Sequence, residues 1–520
     1  MEPIEKLRQV RAEKLAKIKN LKIDPYPAKS HKKQTIADCL KSQGREVVTA
    51  GRVMAIRTHG GSSFMDLVDE SAKIQLFFSK SQLSNVNCQL LELLDIGDFI
   101  QVAGEVQKTK AGEITIFVKD FKLLTKSIRP IPQSFYGLKD IEIKLRKRYL
   151  DLIVNPEVRE LFTRKAKFWN AVRSFLINND FLEVETPALE SIPGGADARP
   201  FITHHNALNQ DFYLRISLEL YQKRLLVGGF EKVFEIGKIF RNEGIDAEHL
   251  QDYLQMEFYW AYADYNDLIN FVEKYYRFIV KETLGTATSN YQSITIDWEK
   301  EWKKIDYLDA FKQETGADIT KNPTTEELYK LAEKVGAKPA KKMGQGRLID
   351  LIYKKTIRPK LIQPSILINH PVAVSPLAKR SKENPYSVER MQILVAGTEV
   401  GNGFSELNDP VDQKARFEEQ QKMRAAGDEE AQMYDEDFIE ALEYGMPPAA
   451  GFGLSQRLFA VLVDKPIRET VFFPTIKPES SSRHHRDRVS HKASAVAQSD
   501  DLDVRPEDSV PRDSRSSQRQ

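Results

Sequence analysis

Between residues 47 and 125 apolar and polar residues alternate in five short runs, VVTAGRVMAIRT, SFMDLVD, KIQLFFS, DFIQVAGEV and EITIFVKDFKLL. They are separated by turn-forming stretches that include His59-Gly60-Gly61, Gly97-Asp98 and Gly112. A period of two puts successive side chains on opposite faces of an extended strand, so this stretch cannot bury its apolar set as a helix. Five strands in about 80 residues suggest closure on one another, which hides their edges, although the pattern alone fits many barrels. That predicts a small β-barrel of the OB type, an architecture that often reads single-stranded nucleic acid.

The 520 residues leave room for about two to four domains at roughly 150 residues each. Lys and Arg total 77 against 75 Asp and Glu, a formal charge of +2, so any polyanion has to be met by a local patch. With 41% hydrophobic and 29% charged residues, the chain has the balance of a globular protein and not of a disordered one. The two cysteines, Cys39 and Cys88, stand apart without a CxxC or a histidine cluster, which argues against a disulfide framework and a thiolate metal site. No apolar run approaches the roughly 18 residues of a membrane span, and charges interrupt the N-terminus every few residues. A cytoplasmic location without a membrane partner is expected.

In the N-terminal segment, residues 1–26, Leu7, Val10, Leu15, Ile18 and Leu21 fall at helical spacing among Lys6, Arg8, Arg11, Lys14, Lys17, Lys19 and Lys22. This basic helix either packs on its own domain or also touches a polyanion. Asp24-Pro25-Tyr26-Pro27 stops it. The barrel domain is expected over 27–132, ending in the linker Arg129-Pro130-Ile131-Pro132. A larger α+β domain is expected over 133–478. It contains a helix at 157–179, with Leu161, Ala166, Phe168, Trp169, Val172 and Phe175 on its apolar side, and a helical insertion at about 285–360. Its strand-like stretches include FYLRIS, KVFEIGKIF, MQILVAGTEV and GNGFSEL. From Glu479 to Gln520, Ser, Arg, Asp and His dominate, and such a segment cannot bury enough surface to order itself. A disordered tail is expected there.

GxxxxGK[ST], a complete GxGxxG and HExxH are absent, so a nucleotide would have to be held by another device. The candidate is Phe240-Arg241-Asn242-Glu243-Gly244 at the end of KVFEIGKIF, followed by His249, Tyr253 and Glu257. Taken alone, an Arg beside a Glu reads as an exposed ion pair. The chain also carries FLEVETP at 181–187, GGADARPFITHHN at 194–206, LRISLELYQKR at 214–224, EVGNGFSELNDP at 399–410 and GFGLSQR at 451–457. With these motifs it closely resembles the class II lysyl-tRNA synthetases, in the family's own order from RAEKLAKIKNLKIDPYP to VFFPTIKPE. The HIGH and KMSKS signatures of class I synthetases are missing.

The resemblance implies an α+β protein with an N-terminal OB-fold barrel for the tRNA anticodon. Behind it would follow a class II aminoacyl-tRNA synthetase catalytic domain built on an antiparallel sheet flanked by helices. The implied activity is ATP-dependent attachment of lysine to tRNA(Lys) through lysyl-adenylate, with Mg2+ as cofactor. Glu219 and the Gly195 backbone would hold the α-ammonium group of L-lysine, and Glu406 and Tyr259 its ε-ammonium group. Glu257 belongs to the same pocket, and Arg241 and Asn402 would take the carboxylate. Two carboxylates and a cation suit lysine, whereas the side chain of aspartate would face Glu406 as a like charge. The alternative is that Glu219 and Glu406 are salt-bridged to local lysines.

For ATP, the resemblance assigns Arg241 to the α-phosphate, Glu243 to the nucleotide and His249 to the terminal phosphates. Tyr253 and Arg457 would sandwich adenine, and Gly453 lies in the same site. Arg241, Glu243 and Arg457 are the implied catalytic set. Glu399 is the implied metal carboxylate, with Gln392 at a second metal position where most relatives carry Glu. In the barrel, Arg57, Phe64 and Gln75 would read the anticodon by hydrogen bonds and stacking, the alternative for Phe64 being a core position. The strand Phe181 to Pro187 and its preceding helix resemble the family's dimer interface, which implies a homodimer.

Two further positions depart from the family pattern. Motif 3 reads Leu-Ser-Gln-Arg where Gly-Ile-Asp-Arg is usual, and Asp252 replaces a Glu. These departures leave open an RNA-binding protein on a decayed synthetase scaffold. A sibling synthetase for asparagine or aspartate is the other alternative.

Overall fold

The computed structural model of the chain describes residues 4–132, 140–244, 249–341, 343–428 and 430–477. It divides into two compact units, residues 1–158 and 159–520. The tail expected at 479–520 lies outside the described residues.

In the first unit the strands Glu46–His59, Ser62–Val68, Lys73–Ser79, Phe99–Lys108 and Ile114–Thr125 close into a barrel, with the third strand pairing the fifth in parallel. The alternation read from the sequence is the inside–outside alternation of that barrel. Met65, Leu67, Ile74 and Leu76 are buried, while the residues between them are partly exposed. The N-terminal helix, Ile4–Asn20, sends Ile18 into the barrel core. Arg11 donates to the carbonyls of Ile96, Ser127 and Arg129, and Lys14 pairs with Asp95 at 2.7 Å. Two of the helix's cations are therefore committed to its own domain.

The second unit is organised by an eight-stranded sheet. Its strands run in the order Lys303–Asp306, Ser365–Ile368, Arg390–Val395, Thr398–Ser405, Ala449–Ser455, Asp252–Ala261, Lys232–Phe240 and Leu182–Glu183. The inner pairings are antiparallel and the outermost pairing at each edge is parallel. One face packs on the helices Pro156–Ile177 and Tyr265–Leu284, where Phe168, Val172, Tyr275, Tyr276, Phe258 and Phe452 form the core. Asp264 and Asp267 form a capping box that starts the second of these helices, and Gly285 ends it with φ +72°. At the sheet edge, the buried Arg215 binds Glu235 at 2.6 Å and the Thr186 carbonyl at 3.0 Å, tying FLEVETP to the adjacent strand.

The helical insertion expected over 285–360 is corrected at its start. Residues 288–291 and 294–297 form a hairpin and 303–306 an edge strand, and the helices occupy Tyr307–Thr315, Thr325–Lys334 and Gln345–Thr356. Ser289, Ile296, Trp298 and Trp302 are buried there, so packing on the sheet decides the conformation where the sequence pattern is short. Among the described residues, no helix is long and apolar enough to cross a membrane.

Candidate active site

The open face of the sheet carries the site, and strand alternation explains how. Along Asp252–Ala261, Met256 and Phe258 enter the core, whereas Tyr253, Gln255, Glu257 and Tyr259 line a cleft of about 300 Å³ on the other face. On the strand Thr398–Ser405, Glu399 and Asn402 have opposite parity, yet both line the cleft. A register shift allows it. Ile393 faces Gly401 and Leu394 faces Glu399, so Val400 is the extra residue and turns into the core. The cleft also takes Gly195, Ser217 and Glu219 from one side and Arg241, Arg390, Gly453 and Arg457 from the other. A second cavity of about 540 Å³ adjoins it, shares Arg241, Tyr253, Arg390, Glu399 and Arg457, and adds Glu243 and His249.

One end of the cleft is acidic. Gly195 holds φ +85°, and a side chain there would lie 2.9 Å from Ser217 and Glu219, so the backbone approaches Glu219 as closely as a glycine permits. Glu257 is fully employed. Its Oε1 accepts from Ser217 Oγ at 2.9 Å, the Leu218 amide at 3.2 Å and the Gln255 amide group, and its Oε2 accepts from the Tyr259 hydroxyl at 3.0 Å. With its hydrogen committed to Glu257, Tyr259 turns oxygen lone pairs toward the cleft. Burial, aided by Glu219, Glu257 and Glu406, pushes the phenol well above its usual range and keeps it neutral. Glu406 is 1% exposed, and its Oε1 has no hydrogen-bond partner among the described residues.

Toward the other end Arg241 lies between the two cavities, its Nε donating to the Ile216 carbonyl at 3.3 Å and its guanidinium 5.9 Å from the Tyr253 ring. Burial opposes its charge, but Tyr253, Glu243, Glu257 and Glu399 outweigh that effect and keep it charged. Asn402 Oδ1 accepts from Arg390 Nε at 2.8 Å, so the amide presents its NH2 to the cleft as a donor. Sequence reasoning did not single out Arg390, Gln255 or Ser217. Gln255 shares the parity of Glu257 and was accessible by strand alternation, whereas Arg390 becomes visible only once the sheet is assembled.

Gln392 stands beside Glu399. Its Nε2 donates to Glu399 Oε2 at 3.1 Å, and its Oε1 faces the Tyr353 hydroxyl at 3.4 Å, so the carbonyl oxygen expected to meet a cation is turned toward a phenol. A carboxylate can only accept, and it therefore selects the NH2 end of the amide. Among the described residues, no group of three or more His, Cys, Asp or Glu side chains could hold a metal ion. Glu399 fits a divalent cation that arrives with other oxygen ligands, not a cage made by the protein alone.

The other departures also have a place. Asp252 is paired with Lys238, an exposed contact that leaves it out of the cleft. Gln456 accepts from the ammonium group of Lys165 at 3.1 Å, and the Thr470 carbonyl does so at 2.7 Å. Burial first, and then the charge of Lys238, lowers the Lys165 pKa to about 8, since no carboxylate compensates. The unfolded chain binds this proton up to about pH 10.5, so the contribution is present above that pH and is lost as pH falls through about 8. A Gln456→Glu variant is expected to remove this gain of stability between pH 8 and 10, read as unfolding midpoints at the two pH values.

In the barrel unit, Arg57 pairs with Asp66 at 2.7 Å and lies opposite Phe64 in the ladder. Gln75 donates to Glu113 at 2.9 Å and accepts from Thr115 at 2.9 Å. Phe64 is half-buried and outside the barrel core, with the Phe77 ring 5.1 Å away and Phe117 a further 5.1 Å beyond Phe77. Phe77 and Phe117 extend the aromatic strip across three strands. Both rings fall within the quoted strand runs, but the pairing of the third and fifth strands that joins them is long-range.

Known proteins resemble this chain along most of its length. Residues 140–477 match the family of class II tRNA synthetases (D, K and N), and residues 47–124 match the OB-fold nucleic acid binding domain. The lysine–tRNA ligase of Moorella thermoacetica is 47% identical over 479 residues, covering 91% of this chain and 98% of that protein. The lysine–tRNA ligase of Thermoanaerobacter pseudethanolicus is 45% identical, covering 92% and 97%. That of Carboxydothermus hydrogenoformans is 46% identical, covering 91% and 99%.

Proposed function

Because the chain belongs to the class II tRNA synthetases, and among them to the lysine–tRNA ligases, we propose that it joins L-lysine to tRNA(Lys) through a lysyl-adenylate, with ATP as the activating substrate. The observation that carries the reading is one cleft with carboxylates at one end and Arg241 and Asn402 at the other. A diammonium carboxylate has that polarity. Aspartate and asparagine do not, and the relatives named above are lysine enzymes.

In this reading Glu219 and the Gly195 carbonyl hold the α-ammonium group, Glu406 and the Tyr259 oxygen hold the ε-ammonium group, and Glu257 fixes Tyr259. Arg241 and the Asn402 NH2 place the carboxylate, which is already ionised and attacks the α-phosphorus without a general base, breaking the α–β phosphoanhydride bond and releasing pyrophosphate. Arg241 neutralises charge that develops on the α-phosphate. Glu243 contacts the nucleotide, His249 faces the terminal phosphates, and adenine lies between Tyr253 and Arg457 above Gly453. Glu399 would hold a Mg2+ ion, which would supply positive charge that lowers the repulsion the attacking carboxylate meets. In the second step the 3′-hydroxyl of the tRNA attacks the lysyl carbonyl and AMP leaves.

Arg57, Phe64 and Gln75 read the anticodon. Phe64→Ala is expected to weaken tRNA charging by about 1 to 3 kcal/mol, the usual worth of one base stack, while leaving lysine-dependent ATP–pyrophosphate exchange unchanged. Equal loss in both assays would reject the assignment, and no exchange in the parent protein would favour a decayed scaffold. Gln392→Glu places a second carboxylate beside Glu399. The variant is expected to unfold at a lower temperature without divalent ion, recover with Mg2+, and reach half-maximal exchange at less Mg2+ than the parent.

The exposed Ile177, Leu182, Leu189, Ile202 and Leu208 support a homodimer through the edge strand and the neighbouring three-stranded sheet. A cytoplasmic location completes the reading.

A further inference from the structure

Lys223 is 0% exposed, on the helix Glu219–Val227, one turn after Glu219. Its ammonium group meets Glu219 Oε1 at 2.5 Å and also pairs with Glu406 Oε2 from the strand side of the cleft. It does not line the cleft itself, and the rings of Phe404 and Phe438 close around it at 5.4 and 5.9 Å. One lysine of the protein thus joins the two carboxylates assigned to the two ammonium groups of the substrate. The alternative that these glutamates are paired with a local lysine and the reading that they bind substrate are compatible, because Glu406 keeps Oε1 without a hydrogen-bond partner.

We infer that Lys223 is a positioning residue of the amino-acid pocket, whose buried ammonium group fixes Glu219 and Glu406 as a pair and holds them ready for the two ammonium groups of lysine. The inference rests on the proposed lysine pocket. Three carboxylates, Glu219, Glu257 and Glu406, face one another there with Tyr259, and Arg390 is a further cation whose charge acts on Glu219. On the outer side, Arg224 is committed to Asp435 and Asp437. Burial raises the pKa of Glu406 and of Glu219, and Lys223 opposes that rise in both. Without Lys223 the pair would take up a proton more readily, and a protonated Glu406 cannot attract an ammonium group.

The test is Lys223→Met, which keeps the unbranched shape of the side chain, one atom shorter, and removes its charge. Lysine-dependent exchange is measured from pH 6 to 9 in the full-length protein, beside Glu406→Gln. The expected result is a KM for lysine raised about tenfold or more, an unchanged KM for ATP, and an acid limb of kcat/KM for lysine moved to higher pH. A uniform loss of rate with the parent pH profile overturns the inference and leaves Lys223 a packing residue. If Glu406→Gln leaves the KM for lysine unchanged, the pocket assignment itself fails. If it raises that KM while Lys223→Met does not move the acid limb, only the inference fails. Should Lys223→Met not fold, the double variant Lys223→Met/Glu406→Gln replaces it: recovery of folding supports the charge pair, and continued failure overturns it.

Discussion

Arg241→Ala is expected to abolish lysine-dependent ATP–pyrophosphate exchange while leaving the chain folded. Arg241 follows the strand Lys232–Phe240 and lines both the acidic cleft and the adjoining cavity proposed for ATP. In the proposed reaction it meets both the substrate carboxylate and the phosphate which that carboxylate attacks, and it lines both cavities, as Arg390 and Arg457 also do. Losing one preorganised donor to developing charge costs about 3 to 4 kcal/mol in the barrier, a fall of roughly 10²- to 10³-fold. Here the same group also aligns the two reactants, which adds to the loss. The backbone bond from the Arg241 amide to the Gln251 carbonyl, 2.8 Å, does not depend on the side chain, so the strand end stays in place. Measurable exchange within about tenfold of the parent would move the reaction centre elsewhere.

Gly451→Ala is expected to empty the lysine pocket without touching the nucleotide. Gly451 faces Tyr259 across the ladder, and a β-carbon there would run into Glu406 Oε1 and the Tyr259 ring, the two groups assigned to the ε-ammonium group. Overpacking of that kind costs about 1 to 3 kcal/mol when neighbours have to shift, and the neighbours here are the binding groups themselves. The KM for lysine is expected to rise about 100-fold or more, with ATP binding by calorimetry unchanged. A normal lysine KM would place the ε-ammonium group away from Gly451.

Much of the site could be read in the chain itself. Arg241 and Glu243 follow the strand Lys232–Phe240, and Tyr253 and Glu257 lie on its partner strand, where their alternation with Met256 and Phe258 already separates a chemical face from a core face. The barrel was legible for the same reason, since period-two patterning is a local property of an extended chain. The insertion was less legible because its strands are four residues long, too short for a periodic signal to outweigh local preference. Gln392 was recognisable as a departure but not in its orientation, which the acceptor-only carboxylate of Glu399 on the neighbouring strand decides.

The sequence by itself determined the two domains' strand patterns and the chemical types present, because periodicity and residue chemistry are carried by the chain in any conformation. Only the tertiary structure decided which of those groups meet. The register shift at Ile393 and Leu394 brings Glu399 and Asn402 to one face, and the packing of a helix against a distant strand lets Lys223 reach Glu406 as well as Glu219. A shift of one residue in a ladder reverses every side chain beyond it. A contact between a helix and a remote strand depends on how the sheet closes, and neither property has a local signature in the amino-acid order.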